Sequence, residues 1–399
     1  PSGLSIGALF AATSQEEAKT FTQSTDPTVN RFSSEIVEPR AAYGVLRLQQ
    51  EFGRDASTAG IILTGVNRNN EANPELREFL TDEAYSGGVD WDLRFQGGKY
   101  TISGDVGFSH IEGSEEVLTR IQRRSARFYQ RPDADYVRVD SSATSMSGYR
   151  ASLRFRKNAG RHWLWGLDGS LNSPGFELND IGILRNTDRY RVGARLTWRE
   201  NVPNQFFNRY DMNVRANYDW NFGGTMTGAR YNFGSGFTFN NFWGFNMGAS
   251  YRPRTQSDNL TRGGPLMGRV SEWGFDVNLR TNFGLPRFGR IRYDMGWDET
   301  GGSSWGLNGQ FRVTTNGRLE YSINPRYNKT IDNRQFVQII EGGGPTATFG
   351  NRYIFSTVER TTLSMQLRVN YSFTPDLSLE VYAEPFASSG NFKNQGELP

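Results

Sequence analysis

Hydrophobic and polar residues alternate along most of the chain with a period of two. Every odd position from Leu363 to Phe373 is apolar or aromatic, and every even position between them is Ser, Gln, Arg or Asn. This period predicts a β-strand with one apolar and one polar face. The alternation resumes at Leu377 after a short turn with the sequence Thr-Pro-Asp. Two long antiparallel strands are therefore expected here.

The same pattern recurs along almost the whole chain. Further examples are the stretches 85–95, 100–109, 190–199, 210–220, 273–280 and 291–298. Counted in this way, the pattern predicts about seventeen strands, mostly of about 11–14 residues, whereas strands in soluble proteins average about 5–6. This length disfavours a soluble β-sandwich, which also alternates, and the repeated blade motif of a propeller is missing.

The apolar face of each predicted strand matches the thickness of a membrane. Four or five apolar residues at steps of two span roughly 25 Å, the height of the lipid-facing band of an outer-membrane barrel. Aromatic residues end these rows, as at Tyr190 and Trp198 or Tyr210 and Trp220, and such rings favour the lipid headgroup level. We therefore predict an all-β fold, a transmembrane antiparallel up-and-down β-barrel.

The connections alternate between short and long. Short ones with turn residues lie near 53–55, 96–98, 158–160, 239–241, 314–317 and 374–376, and long ones near 14–40, 68–83, 111–145, 173–188, 253–267 and 332–351. Periplasmic turns and extracellular loops show this asymmetry. The connections near 221–225 and 299–303 are exceptions, because they should be extracellular but are short.

An odd number of strands does not suit a closed antiparallel barrel. A lipid-exposed sheet edge would leave backbone N–H and C=O groups unpaired, and single-chain bacterial barrels have even strand numbers. We therefore expect one barrel domain over residues 1–399, with one more strand upstream of Pro1 and about eighteen strands in all.

Composition removes several classes of function. The chain has 45 Lys and Arg against 42 Asp and Glu, which is too balanced for a nucleic-acid-binding surface. It has no Cys, which excludes disulfides, zinc–thiolate sites and iron–sulfur clusters. It has two His and no phosphate-binding or zinc-protease motif. We expect no nucleic acid partner, no metal and no cofactor.

The polar faces of the predicted strands carry charges of both signs. We expect them to line the lumen at Asp90, Asp92, Arg94, Asp105, Arg154, Arg195, Asp211, Arg215, Asp276, Arg280, Arg292, Asp294, Arg312, Glu320, Arg326 and Arg368. Such side chains can form the wall of a selective pore. The alternative is a ladder of cross-strand ion pairs that stiffens the barrel, each contributing roughly 0.2–1 kcal/mol. The even mixture of signs favours the ladder and disfavours strong ion selectivity.

Two long connections have unusual composition. The loop 111–145 contains the binding candidates Arg123, Arg124, Arg127, Phe128, Tyr129 and Arg131. Arginine with aromatic residues suits an anionic glycan or phosphate, or a constriction folded into the lumen. Pairing with nearby acidic residues of the same loop is the alternative. The apolar segment 173–188 is a candidate lumen plug or partner-binding surface.

One group of residues raises the question of catalysis. His110 stands at the outer end of a predicted strand with Glu112 and Ser114 just beyond it, a set that suggests a hydrolase of the Ser–His type. The sequence shows no partner strand for it, and we assign no catalytic residue. His162 opens a strand at the opposite rim and is expected to be an interface residue.

Four segments together resemble a known family. They are 125–136, 173–182, 262–265 and 370–379, the last leading to Pro385-Phe386. The chain resembles the outer-membrane β-barrel domain of unknown function that usually follows a carbohydrate-binding module of the family-nine type in Bacteroidota and related bacteria. The resemblance covers essentially all 399 residues. It implies an outer-membrane location and a link to glycans, and we expect the module upstream of Pro1.

These observations lead to one favoured function and two alternatives. We predict a porin-like conduit or gated channel for small solutes or oligosaccharides in the outer membrane of a Gram-negative bacterium. The first alternative is an occluded barrel that anchors a glycan-binding module or partner proteins. The second, less favoured, is an embedded hydrolase. Expected partners are outer-membrane lipid and lipopolysaccharide, periplasmic or outer-membrane proteins, and glycans.

Overall fold

The computed structural model describes residues 3–22, 31–70, 74–315 and 317–397. Two short α-helices, α1 (Pro74–Arg77) and α2 (Glu115–Arg123), and a 3-10 helix at Thr346–Thr348 are present in these ranges. The strands are β1 (Leu4–Thr13), β2 (Glu16–Thr22), β3 (Arg31–Glu38), β4 (Arg40–Phe52), β5 (Ser57–Asn69), β6 (Glu83–Phe95), β7 (Tyr100–Glu112), β8 (Ser145–Lys157), β9 (Trp163–Asn172), β10 (Arg189–Glu200), β11 (Phe207–Trp220), β12 (Met226–Phe239), β13 (Gly244–Arg252), β14 (Thr255–Ser257), β15 (Met267–Arg269), β16 (Glu272–Arg280), β17 (Arg287–Asp298), β18 (Ser303–Thr315), β19 (Leu319–Ile340), β20 (Arg352–Thr374), β21 (Leu377–Ala383) and β22 (Phe386–Glu397).

Eighteen of these strands form one antiparallel sheet in which each strand pairs with its neighbour in the chain. The series runs from β1, which pairs with β4, as far as β20, which pairs with β19. Both β21 and β22 pair with β20, one along 367–374 and the other along 354–364, so together they fill one position. The sheet therefore has seventeen positions, and the predicted all-β up-and-down fold is confirmed.

The registers confirm the two faces that the alternation predicts. Along β10 and β11, Val192 lies opposite Tyr218 and Leu196 opposite Val214, whereas Arg195 lies opposite Arg215 on the other face. The apolar side chains are not buried, because Val192 is 52% and Val214 50% exposed. In water such an apolar surface would be far larger than the patches that soluble monomers expose.

The total accessible surface area is also larger than that of a compact soluble protein. The accessible area is 24162 Å², whereas a compact soluble protein of 45.1 kDa would expose about 15,700 Å². The excess arises because both faces of the sheet stay uncovered over most of their area. Over most of the described sheet, neither face is therefore covered by an apolar core.

Aromatic rings form a girdle at each end of the apolar face. At one end, successive ring pairs connect Tyr218, Tyr231, Tyr251, Trp273 and Trp297, with ring centroids 5.6–6.4 Å apart. At the other end, the ring of Trp198 stacks on His162 and contacts Tyr210. The ten residue steps from Tyr210 to Trp220 cover about 34 Å along a strand, or about 26 Å at the tilt usual for barrels. This is the thickness that the sequence predicted.

The connections also follow the prediction. Every described long connection is at one end of the sheet, the loop end, and the two short exceptions at 221–225 and 299–303 are there as tight turns. The opposite end has short turns only, although Asn316 of the turn 314–317 lies outside the described residues. Neither α1 nor α2 is long and apolar enough to cross a membrane.

Most of the expected long loops contain short helices or strands, and two of them contain long stretches of β-structure. The connection 14–40 includes the small hairpin β2–β3, and 23–30 lie outside the described residues. In the segment 332–351, residues 332–340 continue β19 and pair with the first residues of β20, and 341–351 connect the two strands. Two register shifts, after Asp332 and after Phe336, interrupt the period of two in this segment, so the alternation alone predicts a loop there.

The expected eighteenth strand and the upstream module concern residues before Pro1, so they stay predictions. Successive positions in the sheet alternate in direction, so the first and the seventeenth run the same way. Antiparallel closure between them requires one strand more, which remains the physical reason for that expectation.

A charge on the apolar face should destabilise the protein more than one on the polar face. Val214 lies near the middle of β11, so Val214→Arg places a charge near the bilayer midplane and should cost about 2–4 kcal/mol. The control Asn246→Arg lies on the polar face of β13, opposite Asn278, and should cost less than about 0.5 kcal/mol. Urea unfolding in lipid vesicles measures both, and equal losses would contradict the assigned faces.

Candidate functional site

Glycine residues on the polar face leave room for charged side chains that lie flat on the wall. Arg47 of β4 pairs with Asp90 of β6, two strands away, and a Cβ on the intervening Gly60 would lie 2.6 Å from the Arg47 guanidinium. Gly193 of β10 leaves room in the same way for the side chain of Asp168 on β9 to reach toward β11. This spacing explains why glycine is common on the polar face of the strands.

The structure places the predicted lumen-lining residues on this polar face. Several form ion pairs there: Asp90 with Arg47, Arg94 with Asp92, Asp105 with Arg150, Arg215 with Asp168, and Arg292 with both Asp276 and Asp294. The others follow from strand register or hydrogen bonding: Arg154, Arg195, Asp211, Arg280, Arg312, Glu320, Arg326 and Arg368.

Part of the ladder that the sequence favoured is present, because the directly opposite residues Arg191 and Asp219, and Arg252 and Glu272, form ion pairs. Residues directly opposite one another often carry the same charge, as at Asp90 and Asp105 or at Arg195 and Arg215. Like charges in that position repel. Other pairs reach across one strand, as Arg47 does to Asp90 and Arg215 to Asp168, which the glycine gaps permit. Whether these side chains select solutes stays a prediction.

The loop end of the polar face is covered by three segments that we call the plug: 113–144, 173–188 and 253–271. Helix α2, in the first segment, has its N-cap at Ser114 and buries Val117, Leu118 and Ile121. These side chains pack on Ile111 and two further residues of β5 and β6, on the same face as the charged wall. The first plug segment therefore folds inward, onto the lumen side of the sheet.

The second plug segment also lies on the inner face. Its Phe176 is 1% exposed and so close to the strand residue Gly148 that a Cβ there would overlap the backbone. The amide of Glu177 donates to Ser109 on β7. Arg127 of the first segment donates to the carbonyl of Phe176 and to the Glu177 carboxylate, at 2.9 and 2.7 Å. Both segments are thus joined through buried charge.

A buried network joins all three plug segments, and we call it the latch: Arg131, Tyr136, Asp188, Arg189 and Asp258. Arg131 donates to Asp188 at 2.9 Å and lies 3.5 Å from Asp258. The hydroxyl of Tyr136 donates to Asp188 at 2.6 Å. Arg189, at the start of β10, holds Asp258 through two hydrogen bonds of 2.7 and 2.8 Å.

The latch sets the ionisation of its members. Burial raises the pKa of Asp188, although hydrogen bonds from Tyr136 and the Phe222 amide oppose the shift. Burial also opposes ionisation of Asp258, but the hydrogen bonds and charge of Arg189 outweigh it and lower the pKa. Burial and the hydrogen bond to Asp188 raise the pKa of Tyr136. The acidic member best paired with arginine is therefore Asp258.

The third plug segment reaches the opposite wall. Gly264 lies so close to the ring of Tyr353 on β20 that a Cβ would be 2.3 Å from it, and the Arg262 guanidinium lies 5.8 Å from the Phe336 ring of β19. The Leu266 amide donates to Asp133 of the first segment. One chain of contacts thus runs from β5–β8 to β19–β20 across the inner face, which requires the sheet to curve around the plug.

Next to the latch lies a polar cavity of about 440 Å³. Arg185, Arg189, Arg191 and Arg269 line it together with Asp219. Burial lowers the pKa of Arg269; Glu272 opposes this shift, and the charges of Arg189 and Arg252 add to it. The positive side chains outnumber the acidic one, so the cavity favours an anionic group.

The loop candidates from the sequence divide into two sets. Arg127, Phe128 and Arg131 are buried inside the plug, and burial raises the pKa of Tyr129 to about 12. The arginines pair with acidic residues of the other two plug segments and not with those of their own loop. Arg123 and Arg124 are exposed at the end of α2. Binding of a glycan or phosphate by these two residues stays a prediction.

A polar cluster of His110, Glu112 and Ser147 lies on the outer face of β7 and β8. His110 Nδ1 is 2.7 Å from the Ser147 hydroxyl, and His110 Nε2 is 2.9 Å from the Glu112 carboxylate. Ser114, which the sequence grouped with His110, instead caps α2. Sequence reasoning missed Ser147 because 34 residues separate Glu112 from it, and no turn of fixed length sets their register.

His162 lies at the other end of the sheet, as expected. Its ring stacks on Trp198 and its Nδ1 is 3.1 Å from the carbonyl of Arg199. It belongs to the aromatic girdle of the turn end. No group of three or more metal-ligating side chains occurs in the part of the chain that the structure describes.

A model of one protein family matches residues 1–399, the DUF5916 domain of unknown function. The chain therefore belongs to the DUF5916 family. A search among curated proteins finds no significant match.

Solved structures similar to this chain include one porin and two receptors. An anion-selective porin from Comamonas acidovorans has 10% identity and a TM-score of 0.37, covering 93% of this chain and 100% of its own. The siderophore receptor PirA from Acinetobacter baumannii has 8% identity and a TM-score of 0.44, covering 99% and 73%. A mutant of the ferric enterobactin receptor PfeA from Pseudomonas aeruginosa, bound to enterobactin, has 8% identity and a TM-score of 0.45, covering 96% and 68%.

Removing the latch arginine should release the plug but leave the sheet intact. Arg131→Met leaves Asp188 and Asp258 buried without their shared cation, at a cost of about 3–5 kcal/mol. Hydrogen exchange should speed up at the amides of Phe222 and Leu266 and stay slow in the middle of β11. The control Arg124→Met alters an exposed residue of the same loop and should change neither. Slow exchange of both amides in Arg131→Met would contradict the role of the latch.

Proposed function

We propose that the protein is a gated channel in the outer membrane of a Gram-negative bacterium. Its sheet has enough positions to surround water, because barrels of about 16–18 strands leave an aqueous channel. The observation that carries the proposal is the plug: three segments packed inside the charged wall and held by one buried latch. A wall that only supported an anchor would not need polar side chains facing an open space.

The wall away from the plug supports an aqueous interior. The side chains of Asp92, Arg94, Arg292 and Asp294 are 36–46% exposed although they point to the inner face. Ionised groups so placed require water, because burial without a partner costs several kcal/mol. Small polar solutes would therefore meet a hydrated path once the plug moves.

The arginine-lined cavity suggests which solutes the channel takes. Arg185, Arg191 and Arg269 line the open cavity beside the latch. Guanidinium groups bind carboxylates and phosphates in bidentate geometry. We therefore propose small anionic solutes, including acidic oligosaccharides, as the cargo. The link to glycans rests on the carbohydrate-binding module expected upstream, which also makes glycans and neighbouring membrane proteins the proposed partners.

The plug also favours a second function, an occluded barrel that anchors a module or a partner. Its segments are ordered by buried ion pairs and a small apolar core, as a permanent seal would be. In this second function the inner wall is not used for passage. Conductance distinguishes the two functions.

Single-channel recording in planar bilayers tests the channel. The wild-type protein should give rare openings, and Arg131→Met should raise the open fraction at least about tenfold, because loss of about 1.4 kcal/mol from the closed state already has this effect. Arg124→Met should behave like the wild type. Silence of both the wild type and Arg131→Met, with protein shown to be inserted, would support the anchor and overturn the channel.

A further inference from the structure

The contacts of His110 reproduce the relations of a nucleophile, a base and an orienting carboxylate. Ser147 lies 2.7 Å from Nδ1, and Glu112 lies 2.9 Å from Nε2. With the proton on Nε2, the imidazole donates to Glu112 and accepts the hydroxyl hydrogen of Ser147. Nucleophile–base and base–carboxylate contacts of this length define such triads on unrelated folds, independent of residue order.

Strand pairing brings the three side chains together. His110 lies directly opposite Ser147, and Glu112 is two residues further on the same face. Tyr149, which has the same backbone orientation as Ser147, exchanges hydrogen bonds with Ser173 on the side away from β7. His110 and Ser147 are therefore a non-hydrogen-bonded pair, in which side chains approach most closely. The carbonyl oxygen of Ser147 also points away from β7, because a Cβ on Gly175 would lie 2.2 Å from it.

The acidic residue that faces Glu112 across the strand pair has its own hydrogen-bond donors and does not compete for His110. Glu83 lies directly opposite Glu112, but its two oxygens accept from Asn67 and from the Tyr85 hydroxyl, each at 2.8 Å. His110 therefore has one carboxylate partner among the described residues. The carboxylate of Glu112 is free to hold the imidazole in the Nε2–H form.

The cluster faces outward at the level of the lipid headgroups. The inner face at this height is filled by the plug, because Ser109 and Ile111 are 2% and 1% exposed. His110 and Ser147 lie on the opposite face, next to the pair Phe108 and Tyr149, which are 50% and 54% exposed. Exposed rings directly on the membrane side of a polar site would hold an acyl chain beside it.

The geometry points to a second activity: hydrolysis of acyl esters of membrane lipids by Ser147, His110 and Glu112 on the outer wall of the barrel. This activity is separate from conduction through the lumen, because the two sites lie on opposite faces of β7 and β8. The substrate is an ester-linked lipid in the leaflet at the loop end.

The reaction needs only water as a second reactant. Ser147 Oγ attacks the ester carbonyl carbon while its proton passes to His110 Nδ1, which gives a tetrahedral oxyanion bonded to Ser147 Oγ and an imidazolium. The bond from carbon to the lipid alkoxide breaks, and His110 returns the proton to the leaving alcohol. Water then attacks the acyl-serine, gives one proton to His110, and releases the fatty acid as Ser147 regains its hydrogen. Glu112 is a positioning residue, because it acts through the imidazole.

Purified full-length chain in two sets of vesicles tests the activity. One set contains phosphatidylethanolamine and phosphatidylglycerol, and the other also contains lipid A, so that the released fatty acids identify the ester source. His110→Ala should lower turnover by about 10²–10⁴-fold, and Ser147→Ala should abolish both turnover and labelling by a fluorophosphonate. His162→Ala, at the other end of the sheet, is the matched control and should keep wild-type turnover.

Glu112 has a readout that a structural role would not give. Glu112→Gln should lower kcat with little change in KM, and Glu112→Asp should restore part of kcat, because only an anion stabilises the imidazolium. Absence of fatty-acid release and of Ser147 labelling in folded wild-type protein would overturn the proposal. Turnover that survives in Ser147→Ala would also overturn it.

Discussion

The bilayer allows no unpaired backbone polar group, and this constraint shapes the rest of the molecule. A sheet that meets hydrocarbon must pair every N–H and C=O with a neighbouring strand. The chain satisfies this requirement with a meander in which each long strand pairs with the next. Side chains of alternate residues then point to opposite faces of the sheet, so one face is apolar and the other carries most of the charge. The aromatic girdles, the inner wall and the plug all depend on that division.

A hydrated inner face creates its own problem, because charges of both signs must be arranged without a core to fix them. Glycine solves part of it by letting long side chains cross a neighbouring strand, as Arg47 does over Gly60. The plug solves the remainder at the loop end, where α2 brings apolar side chains into a polar interior. Burying Arg127 and Arg131 is costly, so the carboxylates of Glu177, Asp188 and Asp258 must be present together.

Much of the fold could be predicted because its signal is local. A period of two over a dozen residues identifies each strand, and turn residues mark its end, so the two faces and the loop end follow directly. The long hairpin of β19 and β20 was missed where register shifts near Asp332 break the period. The composition of the plug suggested that it folds inward. The residues that pair inside it could not be predicted from the sequence, because partners such as Arg131 and Asp258 are far apart in the chain. Ser147 was missed for the same reason: it meets His110 through a register that a long loop leaves undefined.

The central claim is that the apolar face meets lipid and the charged face meets water. The chain has no Cys, so single cysteines can carry a fluorophore at chosen positions. A label at Leu167→Cys, on the apolar face of β9, should be quenched by brominated lipid and protected from iodide. A label at Asn246→Cys, on the polar face of β13, should show the reverse. Quenching of both labels by iodide alone, in protein reconstituted into vesicles, would contradict the account.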